Sequence, residues 1–255
     1  MRFLITCAQR AARLSTLFTQ LKSFSEHVVL RPDAEGIHMQ CMDSSHVCLL
    51  DARLSAGWFA EYEHDASGPT EIGISPRVMS VALGARKDGQ KIEIVSDGPD
   101  KLSITLDGDP GQLNKYFSLH LVDVESDILD LSTKGDSQVD LTLTTRKMQE
   151  LVTQLQLFDS VVKAEFGEEL VSFEAKGDQG GLRVDVSLED VVEYAIAGAL
   201  KQEFSLAYMQ TMCGFGKLCD EVAMQFSEDR PMEATYDLGD DSRVSLYLAP
   251  KVAAE

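Results

Sequence analysis

The sequence predicts an α+β fold with two similar domains, each made of antiparallel sheets and two helices. Short alternating or β-branched runs, separated by hairpin-length turns such as residues 167–169, indicate antiparallel strands. Four segments with helical spacing of apolar residues interrupt these runs, two in each half of the chain. A length of 255 residues is sufficient for two modest domains.

Eleven runs predict the strands. They lie at residues 27–31, 36–41, 47–54, 91–96, 102–106, 161–166, 170–175, 182–188, 221–226, 232–238 and 243–248.

Four segments predict the helices. The first carries Leu14, Leu17, Phe18 and Leu21, and the third carries Met148, Leu151, Val152 and Leu155 after a cap at Thr144 or Thr145. The second begins with Ser75 as the cap and Pro76 as the first helical residue, and is predicted to pack through Val78, Val81 and Ala82. The fourth extends from Ser205 through Leu206, Met209 and Cys213 to a stop at Gly214 and Gly216.

The helices recur at a nearly constant distance along the chain. The first and third stripes are 134 residues apart, and the caps Ser75 and Ser205 are 130 apart. Chance is the alternative, since such stripes are common in helices, but the matching order favours an internal duplication. We therefore predict domains at residues 1–120 and 138–255, joined by an extended connector at 121–137 in which apolar residues alternate with carboxylates.

Composition restricts the class of protein. The net charge is −19, which argues on average against contact with nucleic acid or an anionic membrane. The five cysteines form no C-x-x-C pair, and no apolar run reaches the roughly 20 residues of a membrane span. We expect reduced thiols, no cofactor, no metal and no membrane partner.

No catalytic site is indicated. The run of Asp43, Ser44, Ser45 and His46 contains the residue types of a nucleophilic triad, but in an extended segment its members face opposite ways. A hydrolase using Ser44 or Ser45 with His46 therefore remains a weaker alternative, and we expect that the protein is not an enzyme.

Two stretches carry a family resemblance. The segment from Met42 to Val47 and the segment from Tyr247 to Lys251 closely resemble signatures of the proliferating cell nuclear antigen family of DNA sliding clamps. The likeness covers the whole chain in order, although much of the intervening sequence diverges.

The resemblance implies a ring of three identical subunits, with helices around duplex DNA and strands outside. Basic residues on or near the four helices are then expected to face the DNA: Arg10, Arg13, Lys22, Arg77, Arg86, Lys87, Arg146, Lys147 and Lys217. Their alternative role is simple solubility, and Glu150 departs from a basic lining.

The resemblance also implies a pocket for a partner peptide. The matching positions are Met42, His46, Val47, Leu49, Leu129, Leu131, Pro231, Tyr247, Leu248, Ala249 and Pro250. Leu49 and Leu248 could equally be plain core residues.

The expected function is that of a DNA sliding clamp, a processivity factor for DNA polymerase and a docking platform for replication and repair proteins. Its expected partners are double-stranded DNA, DNA polymerase, a clamp loader and two further copies of the chain. A subunit of a checkpoint-type heterotrimeric clamp is the alternative. The expected location is the nucleus, or a cytoplasmic replication site for a viral or archaeal protein.

Overall fold

A computed structural model describes residues 1–96, 98, 100–124, 128–131 and 136–251. The chain divides into two compact units. Unit 1 comprises Met1–Ser44, Leu50–Ile128 and Leu238–Val244, and unit 2 comprises Ser45–Leu49, Leu129–Asp237 and the chain from Ser245 onward. Of the predicted connector, residues 125–127 and 132–135 lie outside the described residues.

The first half of the chain forms two helices and, among the described residues, nine strands. The helices are α1 (Ala8–Phe24) and α2 (Pro76–Gly84). The strands are β1 (Arg2–Ile5), β2 (Val28–Pro32), β3 (Gly36–Met42), β4 (Cys48–Ser55), β5 (Glu61–Glu63), β6 (Ile72–Ile74), β7 (Lys91–Val95), β8 (Lys101–Asp107) and β9 (Lys115–His120). They are arranged in the orders β5-β1-β7-β8-β9 and β4-β3-β2-β6.

The second half repeats this pattern. Its helices are α3 (Thr145–Leu155) and α4 (Leu206–Cys213). Its strands are β10 (Val139–Thr144), β11 (Val161–Phe166), β12 (Val171–Gly177), β13 (Gly180–Val186), β14 (Glu193–Ile196), β15 (Leu200–Ser205), β16 (Glu221–Ser227), β17 (Arg230–Gly239) and β18 (Ser242–Leu248). They are arranged in the orders β14-β10-β16-β17-β18 and β13-β12-β11-β15.

The strand orders confirm the predicted pair of similar domains. Each strand of the second half occupies the position of the strand nine places earlier, and α3 and α4 follow the same strands as α1 and α2. One supersecondary unit therefore occurs twice in the chain, as the repeated helix stripes predicted.

The helices pack on the sheets through apolar faces. In α1 the predicted stripe is buried, including Leu14 and Phe18. In α2 the predicted face is only partly correct, because Ala82 is buried whereas Val78 is 45% and Val81 is 69% exposed. The buried side of α2 carries Pro76, Met79, Ala82 and Leu83. The longer Met79 and Leu83 side chains reach the sheet more deeply than the short valines do, so the helix presents them to the core.

All four predicted helices and all eleven predicted strands are present, with ends that shift by a few residues. Seven strands were not predicted: β1, β5, β6, β9, β10, β14 and β15. Within the described residues, no helix combines the length and apolar character needed to cross a membrane.

Candidate nucleic-acid interface and peptide pocket

Each unit holds two neighbouring helices joined by a neutral hydrogen bond. In unit 1, the Thr19 hydroxyl of α1 lies 3.3 Å from the Ser80 hydroxyl of α2. In unit 2, Gln149 Nε2 of α3 donates to Gln210 Oε1 of α4 at 3.3 Å. Each unit therefore presents a surface made of two neighbouring α-helices. The basic residues predicted to face DNA lie on or beside these helices.

The helices are cationic in an otherwise acidic chain. Together they carry six basic side chains and one acidic side chain, Glu150. The whole chain carries 23 basic and 42 acidic side chains, so 17 basic and 41 acidic side chains lie outside the helices. A polyanion is therefore attracted to the helices and repelled by most of the remaining surface.

Arg10 and Arg13 are held by groups of unit 1. Arg10 Nη1 donates to the Trp58 carbonyl oxygen at 2.6 Å, and Nη2 forms an ion pair with Asp240. Arg13 Nη1 donates to the Leu238 carbonyl oxygen at 2.9 Å. Both guanidinium groups thus anchor α1 to neighbouring segments, Arg10 to the Trp58 turn and Asp240, and Arg13 to β17, which limits their freedom to follow phosphates.

Arg86 and Lys147 also have protein partners. Arg86 Nη1 donates to the carbonyl oxygens of Lys87 and Gln90 at 3.3 and 3.4 Å. Lys147 Nζ lies 2.8 Å from the Asp190 carboxylate. These two cations are therefore partly neutralised or tied to the backbone.

Five of the nine predicted cations are exposed and have no side-chain partner among the described residues. Within the described part of the chain, the charged groups of Lys22, Arg77, Lys87, Arg146 and Lys217 form no hydrogen bond or ion pair. Their charges are available to a ligand, and their contact with DNA stays a prediction.

The predicted peptide pocket has its base in unit 2. Ala249 N donates to the Val47 carbonyl oxygen at 3.2 Å, which brings the two signature stretches side by side. Leu49 is 7% exposed and Leu248 is fully buried, so both belong to the core of the unit. Val47 is half-buried and Ala249 is exposed.

A carboxylate orients the pocket tyrosine. The half-buried Tyr247 donates its hydroxyl to Glu233 Oε1 at 2.9 Å, and Thr235 Oγ1 donates to the same oxygen at 3.0 Å. Sequence reasoning missed Glu233, whose only signal was its place in an alternating strand. Pro231 is exposed and Pro250 is half-buried.

Three other predicted pocket residues, His46, Leu129 and Leu131, are exposed or half-buried. His46 is exposed and adopts a left-handed backbone conformation with φ 57° in the turn before β4. Leu129 is 47% exposed and Leu131 is half-buried. Large apolar side chains left open to solvent in a connector are typical of a surface that a partner covers.

Met42 lines a separate cavity in unit 1. This cavity has a volume of about 260 Å³ and is also lined by His27 and by Val124 of the predicted connector. The connector passes close to β6, because Val122 N donates to the Gly73 carbonyl oxygen at 2.9 Å. A Cβ at position 73 would collide with the Val122 carbonyl oxygen, so glycine permits this approach.

Comparison with known proteins identifies the family. The N-terminal domain of proliferating cell nuclear antigen matches residues 5–129, and its C-terminal domain matches residues 133–251. The chain belongs to the proliferating cell nuclear antigen (PCNA) family.

Individual PCNA relatives match over nearly their full length. The chain is 23% identical to proliferating cell nuclear antigen 2 of Drosophila melanogaster over 242 residues, which cover 94% of each chain. It is 24% identical to the proliferating cell nuclear antigen of Chaetomium thermophilum, with 96% of each chain covered. It is 27% identical to the DNA polymerase sliding clamp of Thermococcus sibiricus, with coverage of 95% of this chain and 96% of the relative.

PCNA-family membership supports the expectation that the chain is not an enzyme, since sliding clamps are non-enzymatic processivity factors. The hydrolase alternative, which would use Ser44 or Ser45 with His46, then loses its support. Among the described residues, no group of three or more His, Cys, Asp or Glu side chains could hold a metal ion.

Proposed function

We propose that this chain is a DNA sliding clamp that acts as a ring of three identical subunits. The observation that carries the proposal is the cationic character of the helices in a chain of net charge −19. Duplex DNA would contact the helices, while acidic strands and loops would keep it from the remaining surface.

The strand edges support closure into a ring. Within the described ranges, β9 pairs with β8 alone and β13 pairs with β12 alone. Phe117 and Leu119 of β9, like Val184 and Val186 of β13, lie on alternate positions and are only half-buried. The open edges of β9 and β13 suit head-to-tail pairing of β9 with β13 of the next copy, and such heterologous contacts form a ring when the rotation between copies closes.

Retention on DNA tests this function. The purified chain should form a particle of three times 28.0 kDa, or 84.0 kDa. Loaded by a clamp loader, it should stay on closed circular DNA and slide off after the circle is cut. A chain that remains monomeric at micromolar concentration, or that leaves circular and linear DNA equally fast, would refute the ring.

We further propose that DNA polymerase and other partners dock a short peptide at the pocket formed by the two signature stretches and the connector. Ala249, Pro250 and Tyr247 would form its base, with Leu129 and Leu131 as an apolar wall. Support comes from the exposure of Ala249 and Leu129, from the partial exposure of the other three residues, and from the hydrogen bond that joins the two stretches.

The pocket has a matched test. Replacing Leu129 and Leu131 by Ala should abolish binding of a fluorescein-labelled clamp-interacting peptide and leave the oligomer intact. Leu170 and Leu188, 39% and 37% exposed and away from the pocket segments, provide the control when both are changed to Ala. Unchanged affinity in the connector variant would overturn the pocket assignment.

Nothing in the comparisons favours the checkpoint-type heterotrimer, since the relatives reported above are PCNA proteins and DNA polymerase sliding clamps. A single chain species in the purified native ring would agree with the replicative role, whereas three distinct chains would contradict it. The clamp would act in the nucleus of a eukaryote or in the cytoplasm of an archaeon.

A further inference from the structure

The exposed face of α2 is unusual for a surface helix. Its exposed residues are Arg77, Val78, Val81 and Gly84, and the two valines are 45% and 69% exposed. A surface helix normally turns polar residues outward, and β-branched residues restrict the side chain in a helix. Neither propensity nor core packing therefore explains two valines at these positions.

The neighbouring helix adds little charge to this surface. Exposed residues of α1 are Ala8, Gln9, Ala12, Lys22 and Ser23. Arg10 and Arg13 are occupied by Asp240 and by carbonyl oxygens, as described above. Among the described residues of this helix pair, only Lys22 and Arg77 thus offer a cation without a protein partner.

The second helix pair differs in chemistry although it occupies the corresponding place in the duplicated unit. The exposed face of α3 is fully polar and consists of Arg146, Lys147, Glu150, Thr153 and Gln154. Gln154 Nε2 donates to Glu150 Oε1 at 3.2 Å, and Lys147 is paired with Asp190. The counterpart of α2 in the duplicated unit is α4, whose exposed residue is the small Ala207. Among the four helices, exposed valines therefore occur in α2 alone, and the fold does not require them.

We propose that Val78 and Val81 form an uncharged contact surface for the DNA duplex, so that the helices of unit 1 meet phosphates only through Lys22 and Arg77. This inference rests on the proposed sliding-clamp function. The duplex is the occupant that charge favours, because Arg77 and Lys22 are free cations on the same helix pair. Fewer phosphate contacts release fewer counterions, which makes DNA binding weak and only shallowly dependent on salt.

Adding lysines to α2 tests the proposal. The variant V78K/V81K should bind a short linear duplex more tightly than the parent at low salt. The slope of log K against log salt should steepen by about 0.9 for each lysine that reaches a phosphate. With two new contacts, raising salt from about 50 to about 200 mM should cost the variant about tenfold more affinity than the parent loses.

A control with the same added charge separates local contact from net charge. Leu170 and Val192 are 39% and 49% exposed and lie outside the helices, so L170K/V192K exchanges two exposed apolar residues for lysines elsewhere in the chain. Its salt slope should equal that of the parent. Equal salt slopes for the two double-lysine variants would overturn the proposal, because α2 would then contact DNA no more closely than the control site does.

Two further readouts distinguish this inference from the proposed function. Retention of the parent on closed circular DNA tests the clamp itself. If the parent is retained and V78K/V81K behaves like the control, only the α2 inference fails; if the parent is not retained, the clamp function fails first. A monomeric but folded V78K/V81K chain would mean that the valines pack against another subunit, and this would also overturn the inference.

Discussion

Tyr116 provides the sharpest test of the ring. It lies on the open strand β9 and is 75% exposed, and Leu113 in the preceding loop is 81% exposed. If β9 pairs with β13 of another copy, much of this surface becomes buried at each interface. Tyr116→Ala should therefore weaken subunit association without unfolding the chain.

The expected magnitude follows from the exposed area. A tyrosine buries about 150–250 Å² when it is fully covered, so a side chain that is 75% exposed can lose about 150 Å² to a partner. At about 25 cal/mol per Å² this is about 4 kcal/mol, and partial coverage reduces it to about 2 kcal/mol. Each interface should weaken by roughly 30- to 700-fold, since about 1.4 kcal/mol corresponds to a factor of ten.

Light scattering across a dilution series gives the readout. The parent should remain at 84.0 kDa where Tyr116→Ala has shifted toward 28.0 kDa, with Leu170→Ala as an exposed control that leaves the particle unchanged. Far-ultraviolet circular dichroism should show the same fold in all three proteins. A fully trimeric Tyr116→Ala variant at every concentration that dissociates the parent would refute the edge pairing.

Mixing two variants tests the head-to-tail arrangement. Val184→Asp places a carboxylate on the open strand β13 and should also give a monomer. A mixture of this variant with Tyr116→Ala retains one intact β9 and one intact β13, so it should form a dimer of 56.0 kDa, or twice 28.0 kDa. Failure of the mixture to associate would contradict heterologous pairing.

Three other outcomes follow from side-chain environments. Burial raises the pKa of Asp51, but its hydrogen bond to His38 and nearby positive charge outweigh this and lower the pKa. Stability from this carboxylate is complete above the unfolded pKa of about 3.9 and is lost as pH falls through the lower folded pKa. Asp51→Asn should therefore reduce the free energy of unfolding by about 2 kcal/mol at neutral pH and flatten its acid dependence in urea titrations at fixed protomer concentration. A backbone hydrogen bond from Arg10 lowers the pKa of the exposed Cys7 thiol, so iodoacetamide should modify it first, and Cys7→Ser should remove that fast phase. Glu233→Ala frees the tyrosine hydroxyl at the base of the pocket and should weaken peptide binding about fivefold, measured by fluorescence anisotropy, with the trimer retained.

Periodicity predicted the helices α1 and α3 well. In α1 and α3 one apolar stripe faces the sheet, and the stripes of both helices are buried as predicted. Strands β10 and β15 were missed although their burial alternates regularly, whereas β5 and β6 are short and β9 and β14 contain no buried residue. A short or exposed strand is stabilised mainly by pairing with its neighbouring strand. When that neighbour is distant in the chain, the local sequence contains no pattern that predicts the pairing.

The sequence could predict which residue types belong to the candidate site, but not the contacts that those residues make. Tyr247, Ala249 and Pro250 could be named from a resemblance, and the structure brings Ala249 next to Val47. The roles of Glu233 and of the Arg10 partner Asp240 depend on contacts between distant segments, which no spacing rule reveals. Helix α2 shows the same limitation. Pro76 correctly predicts where the helix begins, but the choice of residues that face the core depends on packing against the sheet, which the sequence does not show.

The charge distribution links these findings. An average over the chain, −19, argues against nucleic acid, yet all but one of the charged residues in the four helices are basic. Several of these cations are partly neutralised within the chain, at Arg10 by Asp240 and at Lys147 by Asp190. The helices are thus weakly positive and the rest of the chain is strongly negative. The difference in charge between them is large, although the attraction of the helices for DNA is small. A ring with these properties would exclude DNA from its outside and hold it inside with few phosphate contacts, which favours movement along the duplex over tight binding at one place.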